Sequence, residues 1–356
     1  MIVKNEAPVI STCLDSVLPI IDTWCIVDTG STDGTQNIIQ DRLFAPRGVL
    51  HERPWVDFAT NRSEALELAR GMADYTLIID ADDTLVVPAD FKMPELTADS
   101  YTVDIDFPPL HYCRAQLVRN ALPWRYRGVL HEFLECAEAK TQDHLPLAIK
   151  VGQGGARRQD PDKYRKDATI LERVLEVETD PFLLSRYTFY LAQSYRDCGE
   201  KERALLFYTA RAAMGFWDSE VYVALLEAAR LKRAMGHDPD QVLAAFEAAA
   251  QAGPDRAEAL HGAAHFCRTL TRYAEGVEYA RRGVLITQPA SGLFVEPWIY
   301  DYGLLDELAV NAYWCGQFRH SLDATEILIS EGKAPDDYRS RLVANANFAR
   351  RQLLAH

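Results

Sequence analysis

Two acidic segments have the residue types and spacing to hold a divalent cation and a diphosphate. The first is residues 27–35 (VDTGSTDGT), in which Asp28 directly follows an apolar run, and the second is residues 80–83 (DADD), which follows the apolar residues 77–79. Carboxylates held this close repel one another unless a cation or hydrogen bonds compensate. Oxygen ligands of this kind suit Mg²⁺ or Mn²⁺, which commonly bridge carboxylates to a diphosphate. Together the two segments predict a metal–nucleotide site, although each alone is also consistent with a capped strand–helix connection or a plain acidic turn.

The elements around these segments predict a parallel, helix-covered sheet. Short β-rich runs at residues 2–3, 24–27 and 75–79 alternate with polar, glycine-containing turns and amphipathic sequence, a pattern typical of α/β folds. In such folds ligands bind at the carboxyl edge of the sheet, where Asp28 would lie. Only three residues precede the polar segment 4–6, so the opening strand is unusually short. The chain is therefore expected to have lost a few N-terminal residues, or to begin with a very short strand.

Composition narrows the class of protein. The 356 residues are 48% hydrophobic, and 38 Lys and Arg against 52 Asp and Glu give a net charge of −14. This balance disfavours a nucleic-acid-binding protein, whose binding face would be basic. The seven cysteines are scattered without a Cys-x-x-Cys pair, which predicts buried thiols in a reducing compartment rather than disulfides or a zinc site. The chain lacks an apolar run long enough to span a bilayer, so we expect a cytoplasmic protein.

The second half of the chain predicts an all-α repeat domain. Alanine-rich helical patterns run from about residue 160 to the end, with Gly or Pro breaks near residues 199, 236, 253 and 316. Small and aromatic residues recur at the offsets of a tetratricopeptide (TPR) helix pair, and four alanines are equivalent in this pattern: Ala192, Ala228, Ala264 and Ala309. A generic alanine-rich helical bundle is the alternative.

Three segments together resemble inverting family-2 glycosyltransferases, in the branch that carries a fused TPR domain. They are residues 1–6 (MIVKNE), 27–35 and 80–82, and the resemblance covers about residues 1–135, with a weaker helical match over 160–356. It implies an N-terminal α/β domain of GT-A fold (a Rossmann-like nucleotide-diphospho-sugar transferase) at residues 1–158 and a TPR-like domain at 159–356. It also implies a UDP-sugar donor with Mn²⁺ or Mg²⁺.

The same resemblance implies a donor site. Asp28 should contact uridine, Asp80 should lie near the ribose and the metal, and Asp82 should ligate the cation. The full donor-site set is Lys4, Asn5, Glu6, Asp28, Gly30, Ser31, Arg62, Asp80 and Ala81, and the metal set is Asp80, Asp82 and His131. Arg62 opens a helix and either binds the diphosphate or is a solvated arginine on the helix face.

A later segment resembles the Arg-rich stretch and His-Glu pair of related sugar transferases. It comprises residues 114–119 and 128–132 (GVLHE). An inverting transfer needs a base that takes the proton of the acceptor hydroxyl, and we assign Glu132 to this role. His131 either ligates the metal or orients the base. The alternative for the pair is a structural hydrogen bond on a strand.

Two further segments each allow two interpretations. Residues 152–158 (GQGGARR) either cover the leaving UDP or form a linker between the domains, and the linker is slightly favoured. Residues 293–302 (LFVEPWIYDY) either bind sugar on an aromatic, acidic surface or form a packed loop between repeats.

The predicted function is metal-dependent, inverting transfer of a hexose from a UDP-sugar to a hydroxyl of a glycan or protein. The TPR-like domain would hold the acceptor or a partner on its concave surface. The alternatives are a degenerate transferase that acts as a TPR scaffold and, less favoured, a nucleotidyltransferase. Peripheral membrane contact, homo-oligomerisation, and the identities of the sugar and acceptor stay open.

Overall fold

The computed structural model describes residues 1–44, 47–108, 110–290 and 292–355, without the side chains of Leu110 and His111. The chain forms two compact units, Met1–Arg173 and Val174–His356. The first unit is mixed α/β and the second is helical, as the sequence predicts. The predicted domain boundary at residue 158 stays a prediction.

The strands of the first unit form three sheets over the described residues. A parallel sheet has the order β1-β2-β3, a mixed sheet has the order β4-β7-β6-β10-β5, and β8 pairs with β9 in an antiparallel ribbon. The strands are β1 (Ile2–Val3), β2 (Thr23–Asp28), β3 (Arg47–Glu52), β4 (Tyr75–Leu77), β5 (Thr84–Val86), β6 (Ser100–Phe107), β7 (Leu110–Arg119), β8 (Arg125–Arg127), β9 (Phe133–Glu135) and β10 (Gln142–Lys150).

The prediction of one parallel sheet is only partly correct: β1, β2 and β3 are parallel throughout, whereas in the mixed sheet only β6 and β10 pair in parallel. In the parallel sheet, helices α1 (Ile10–Val17) and α2 (Thr35–Arg42) separate consecutive strands and so permit parallel pairing. Helix α3 (Phe58–Ala69) precedes β4, but β4 pairs antiparallel with β7. Only two residues of sequence separate β6 from β7, which is too few for a parallel crossover, and the two strands pair antiparallel.

Helix α1 contributes to the cores of both sheets. Ile10 and Leu14 pack with residues of the parallel sheet, whereas Cys13 and Val17 pack with residues of the mixed sheet. The 3.6-residue period of a helix gives α1 two adjacent apolar faces. A cavity of about 1110 Å³ also lies between elements of the two sheets, with Trp24, Ala69 and Tyr75 in its lining. Packing against α1 therefore holds the parallel sheet and the mixed sheet side by side, although no described strand of one is paired with a strand of the other.

The second unit consists of antiparallel helix pairs. Helix α4 (Lys163–Leu175) crosses from the first unit, and the pairs are α5 (Pro181–Asp197) with α6 (Lys201–Ala212), α7 (Asp218–Ala234) with α8 (Pro239–Ala252), α9 (Glu258–Thr269) with α10 (Tyr273–Val284), and α11 (Leu304–Trp314) with α12 (Phe318–Glu331), followed by α13 (Arg339–Ala355). The breaks between paired helices include Gly199, Gly236 and Gly316, all with positive φ.

The alanine pattern of the sequence coincides with these pairs. Ala192, Ala228, Ala264 and Ala309 lie in the first helix of successive pairs, and all four are buried. Small side chains at these positions allow the helices of a pair to approach closely. The predicted helical repeat is therefore confirmed.

Two expectations about the whole chain have different outcomes. None of the described helices combines the length and the apolar character that a membrane span requires. All seven cysteines are free, as expected, but the prediction that they are buried holds fully only for Cys13 and Cys267. Four others are half-buried, and Cys113 on β7 is exposed. Cys113 is the cross-strand partner of the exposed Asp104 and therefore lies on the same exposed face of the mixed sheet.

Candidate active site

Asp28 lies at the carboxyl end of β2 and is 1% exposed. Its Oδ1 accepts hydrogen bonds from the backbone amides of Gly30 and Ser31, both at 2.8 Å. Its Oδ2 is buried without a hydrogen-bond partner among the described residues. Because a buried acceptor without a partner is costly, this oxygen fits a donor group supplied by a ligand better than a purely structural turn.

The segment of Lys4, Asn5 and Glu6 is bound to the turn that follows Asp28. The Asn5 amide donates to Ser31 Oγ at 2.8 Å, and Asn5 Oδ1 accepts from the Thr32 amide at 2.8 Å. Asn5 has a φ of 57°, a conformation that asparagine tolerates better than most residues. Lys4 is exposed beside this segment. The structure thus brings two predicted parts of the donor site together.

The acidic segment forms a turn three residues after the end of β4. Asp82 Oδ2 accepts a hydrogen bond from the Gly155 amide at 3.1 Å, and Asp83 Oδ1 accepts one from the Gly152 amide at 3.1 Å. Ala81 is buried in the core of the parallel sheet. Residues 152–155 therefore pack onto the acidic turn through backbone amides.

Arg62 joins the acidic turn to the predicted base. Helix α3 begins after Asp57, whose side chain caps it by accepting from the Thr60 amide. Arg62 Nη2 lies 2.6 Å from Asp80 Oδ1, and its Nε lies 2.7 Å from Glu132 Oε1. Its side chain is only 15% exposed. The interpretation of Arg62 as a solvated residue on the helix face is therefore wrong, since it faces the acids.

The ion pairs shift the pKa values of this group in different directions. Burial would raise the pKa of Asp80, but the adjacent Arg62 guanidinium outweighs burial and lowers it. Burial raises the pKa of Glu132, and Arg62 offsets only part of this increase. Burial also raises the pKa of Tyr126, whose ring centre lies 5.5 Å from the Arg62 guanidinium, to about 12. Of the two acids paired with Arg62, Glu132 is therefore protonated more readily than Asp80.

Glu6 and Asp83 lie close to other acids of the two acidic segments. Burial, together with the charges of Asp82, Asp33 and Asp80, raises the pKa of Glu6 to about 7. Burial and the Asp80 charge likewise raise the pKa of Asp83 to about 6. Side chains from the two acidic segments therefore lie close enough to repel one another. A divalent cation would relieve this repulsion, but within the described residues no three of these acids hold ligand atoms within 4.8 Å of one another.

The predicted catalytic pair lies in a turn rather than on a strand. His131 and Glu132 fall between β8 and β9, and His131 is exposed with a φ of 52°. Within the described residues, the ligand atoms of Asp80, Asp82 and His131 do not form a group of three lying within 4.8 Å of one another. The assignments of Glu132 as base and of His131 as a metal ligand stay predictions.

Residues 152 and 155 lie so close to the acidic turn that a side chain at either position would clash with Asp82. A Cβ at Gly152 would lie 1.8 Å from the Asp82 carbonyl oxygen, and one at Gly155 would lie 2.8 Å from Asp82 Oδ2. Arg158 donates to the Gly152 carbonyl at 2.8 Å, and Arg157 pairs with Asp167. These contacts give the segment a structural role beside the acids, whereas cover over a leaving UDP stays a prediction.

Residues 293–302 are largely engaged in packing. Glu296 pairs with Arg230, and the Tyr300 hydroxyl donates to Glu258 Oε2 at 3.0 Å. The segment ends in a π-helical turn, Ile299–Gly303, and leaves Trp298 40% exposed against the edge of His261. These contacts favour a packed loop between repeats, and sugar binding there is untested.

Tyr126 was missed by the sequence analysis, and neither Asp83 nor Arg114, which lie in segments 80–83 and 114–119, was given a separate role. Asp83 was visible as the third acid of the acidic segment, but Tyr126 carried no local signal. Arg114 lies close enough to lower the pKa of Asp80. Both residues come from strands of the mixed sheet or its neighbouring ribbon, so only strand pairing brings them to the acids.

Residues 1–99 match the family model described as "Glycosyl transferase family 2". The resemblance inferred from the sequence is therefore confirmed over this part of the chain. A TPR repeat-containing protein of Synechococcus elongatus is 31% identical over 156 residues, which cover 41% of this chain and 37% of the relative. The chain thus spans just over a third of the length of this relative.

Two solved structures are also similar to part of the chain. BtubC from P. vanneervenii matches 56% of this chain and 84% of its own, at 13% identity and a TM-score of 0.41. A tetratricopeptide repeat protein from Parabacteroides merdae matches 54% of this chain and 70% of its own, at 17% identity and a TM-score of 0.39.

Proposed function

We propose that this chain, which matches glycosyl transferase family 2 over its first 99 residues, is a metal-dependent inverting glycosyltransferase. It would transfer a hexose from a UDP-sugar to a hydroxyl of a glycan or protein acceptor. The transferase domain would comprise residues 1–158, and the TPR-like domain would comprise residues 159–356.

The observation that carries this proposal is the convergence of acids around Glu6. The charges of Asp82, Asp33 and Asp80 help raise its pKa to about 7, so side chains from both acidic segments share one region. Asp28 begins the same turn that contains Asp33, and its buried Oδ2 has no hydrogen-bond partner in the described part of the chain. A nucleoside diphosphate with a divalent cation satisfies both features, since it brings hydrogen-bond donors and positive charge.

Each predicted residue then has a physical role. Asp28 would accept a hydrogen bond from uracil, while Asp80 and Asp82 would hold Mn²⁺ or Mg²⁺. The bound cation would stabilise the charge that develops on the departing diphosphate. Arg62 would keep Asp80 ionised and oriented, because its guanidinium lies 2.6 Å from that carboxylate.

Glu132 would take the proton of the acceptor hydroxyl as the sugar is transferred. Burial raises the pKa of Glu132, which makes its carboxylate a stronger base, and the Arg62 guanidinium at 2.7 Å offsets only part of this increase. His131, exposed in the same turn, would contact the cation or orient the acceptor. The helical unit would bind the acceptor, because stacked helix pairs form extended concave surfaces.

Calorimetric titration with UDP, with and without Mn²⁺, tests this proposal. We expect UDP binding to depend on Mn²⁺ and to weaken at least about tenfold in Asp82→Ala, because loss of a cation ligand removes the bridge to the diphosphate. Asp74→Ala, an exposed acid of the same unit, is the matched control and should bind as wild type does. Donor preference would follow from UDP release with a panel of UDP-sugars.

Absence of UDP binding under every condition would reject the transferase proposal. The chain would then be better explained as a degenerate transferase that serves as a helical-repeat scaffold. The name of the Synechococcus relative refers only to its TPR repeats, which is compatible with that outcome.

A further inference from the structure

The outer face of the mixed sheet carries three potential metal ligands on three adjacent strands. Asp104 on β6 is the cross-strand partner of Cys113 on β7, and His144 lies on β10, the other neighbour of β6. Val103 and Ile105, which flank Asp104, are buried in the core. Alternation along β6 therefore turns Asp104 outward, and all three ligand residues are exposed.

The ligand atoms are spaced almost as in a tetrahedral site. Cys113 Sγ lies 3.3 Å from Asp104 Oδ1, and His144 Nε2 lies 3.9 Å from the same oxygen. All three ligand atoms lie within 4.8 Å of one another. Zinc binds sulfur at about 2.3 Å and nitrogen or oxygen at about 2.0–2.2 Å, so neighbouring ligands should be about 3.3–3.6 Å apart. Small side-chain rotations on a rigid sheet would bring this group into place.

A fourth residue orients the imidazole. Thr102 Oγ1 lies 3.1 Å from His144 Nδ1, and Thr102 is the register partner of His144 on β6. This contact engages the nitrogen remote from Asp104 and leaves Nε2 facing the carboxylate. Metal-bound histidines usually have such a partner, which fixes the ring and its tautomer.

The ligand types select the metal. A thiolate, an imidazole and a carboxylate together suit Zn²⁺, whereas Mg²⁺ and Ca²⁺ prefer oxygen ligands alone. Three protein ligands on an exposed face leave the fourth position to water or to a group from another molecule. None of these residues belongs to the acidic turn proposed for Mn²⁺ or Mg²⁺, so the two cation sites would be distinct.

We propose that Asp104, Cys113 and His144 form a Zn²⁺ site with one open coordination position on the outer face of the mixed sheet. Binding replaces the Cys113 thiol proton with the metal, so one S–H bond breaks, one Zn–S bond forms and the proton passes to the solvent. The bound ion would link β6, β7 and β10 across their solvent-exposed side.

The proposal is tested with reduced, metal-free protein and two probes, Zn²⁺ and Co²⁺. We expect wild type to show a thiolate-to-cobalt charge-transfer absorption band that Zn²⁺ abolishes on competition. Cys113→Ser should lose this band, and Asp104→Asn and His144→Ala should weaken Zn²⁺ binding more than about 100-fold. Thr102→Val should weaken it by about tenfold, the effect expected for a residue that orients a ligand.

Cys136→Ser is the matched control, because this half-buried free thiol lies outside the cluster. It should retain the band and the affinity of wild type. Since the substituted cluster residues are exposed, the metal-free variants should melt at the wild-type temperature. Absence of the band in wild type, its survival in Cys113→Ser, or unchanged Zn²⁺ affinity in His144→Ala would each overturn the proposal. The UDP titration is a separate outcome, because Asp104, Cys113 and His144 all lie outside residues 80–83.

Discussion

At the scale of single residues, Arg62 determines the charge balance of the candidate active site. It pairs with both Asp80 and Glu132, and its own side chain is 15% exposed. Burial works against the charge of Arg62, but the two acids outweigh burial and raise its pKa. Removing this guanidinium would leave two acids in a poorly solvated site without their partner, which is more costly than losing a surface ion pair.

We predict that Arg62→Met lowers the free energy of unfolding by about 3–5 kcal/mol at neutral pH, the range for breaking a buried ion pair. The loss should be smaller at acidic pH, where the released acids can be protonated. Chemical unfolding at both pH values measures the effect. Arg70→Met is the control, since Arg70 makes only an exposed pair with Glu67 and should change stability by no more than about 1 kcal/mol. Equal stability of the two variants would contradict the prediction.

Glu6 makes stability depend on pH. Burial and neighbouring acids raise its pKa from 4.5 to about 7 in the folded protein, so the folded state binds this proton more tightly than the unfolded state. The favourable contribution is fully present below the unfolded pKa of about 4.5 and is lost as pH rises through about 7.

We therefore predict that Glu6→Gln becomes progressively more stable relative to wild type as pH rises from 5 to 8. Glutamine keeps the shape of the side chain but cannot ionise beside the other acids. Unfolding free energies of both proteins across this range measure the difference. Two parallel stability curves would show that Glu6 does not titrate abnormally.

At the scale of elements, the backbone of residues 152–155 supports the acidic turn. Amides of Gly152 and Gly155 donate to Asp83 and Asp82, and a Cβ at Gly152 would overlap the Asp82 carbonyl oxygen at 1.8 Å. The clash is with backbone, which cannot rotate away. The requirement for glycine at this position is therefore one of close approach between two loops.

We predict that Gly152→Ala displaces Asp82 and weakens Mn²⁺ binding by about 10–100-fold, as loss of support for a metal ligand does. Titration of metal-free protein with Mn²⁺ measures the change. Gln153→Ala tests the same segment without the clash, because Gln153 is exposed. If both variants bind Mn²⁺ as wild type does, this segment does not position the acids.

At the scale of the whole molecule, each compact unit has its own core. The helical unit also contains a buried ion pair, in which Arg211 is 0% and Glu220 is 3% exposed and the two lie 2.9 Å apart. Arg211 donates to the Gly215 carbonyl as well, so its charge is satisfied entirely within α6 and α7 and the turn between them. Breaking this pair should therefore destabilise the helical unit first.

We predict that Glu220→Ala destabilises the helical unit by about 3–5 kcal/mol, because Arg211 would be left buried without its acid. UDP binding at low temperature should persist, since the proposed nucleotide site lies entirely in the first unit. Thermal unfolding and calorimetric UDP titration measure the two effects. Glu202→Ala, an exposed acid on α6, should affect neither, and loss of UDP binding in Glu220→Ala alone would contradict the prediction.

The sequence by itself determined the features that depend on near neighbours in the chain. Asp28 and Asp80 follow apolar β-rich runs, and alternating apolar and turn-forming residues encode such strand ends locally. The helix breaks and the four buried alanines of the repeats follow the same kind of local rule. These local features are sufficient to predict the α/β and helical-repeat classes.

Only the tertiary structure decided which distant residues meet. The pairing of Arg62 with Glu132, the packing of Gly152 on Asp82, and the cluster of Asp104, Cys113 and His144 all join separate elements. The scattered cysteines predicted buried thiols, yet strand register turned Cys113 outward beside Asp104. Register and packing depend on the summed burial of whole elements, and a one-residue slip would reverse every side chain of a strand. Local sequence patterns therefore identified the strands and helices but not the partners that their side chains contact.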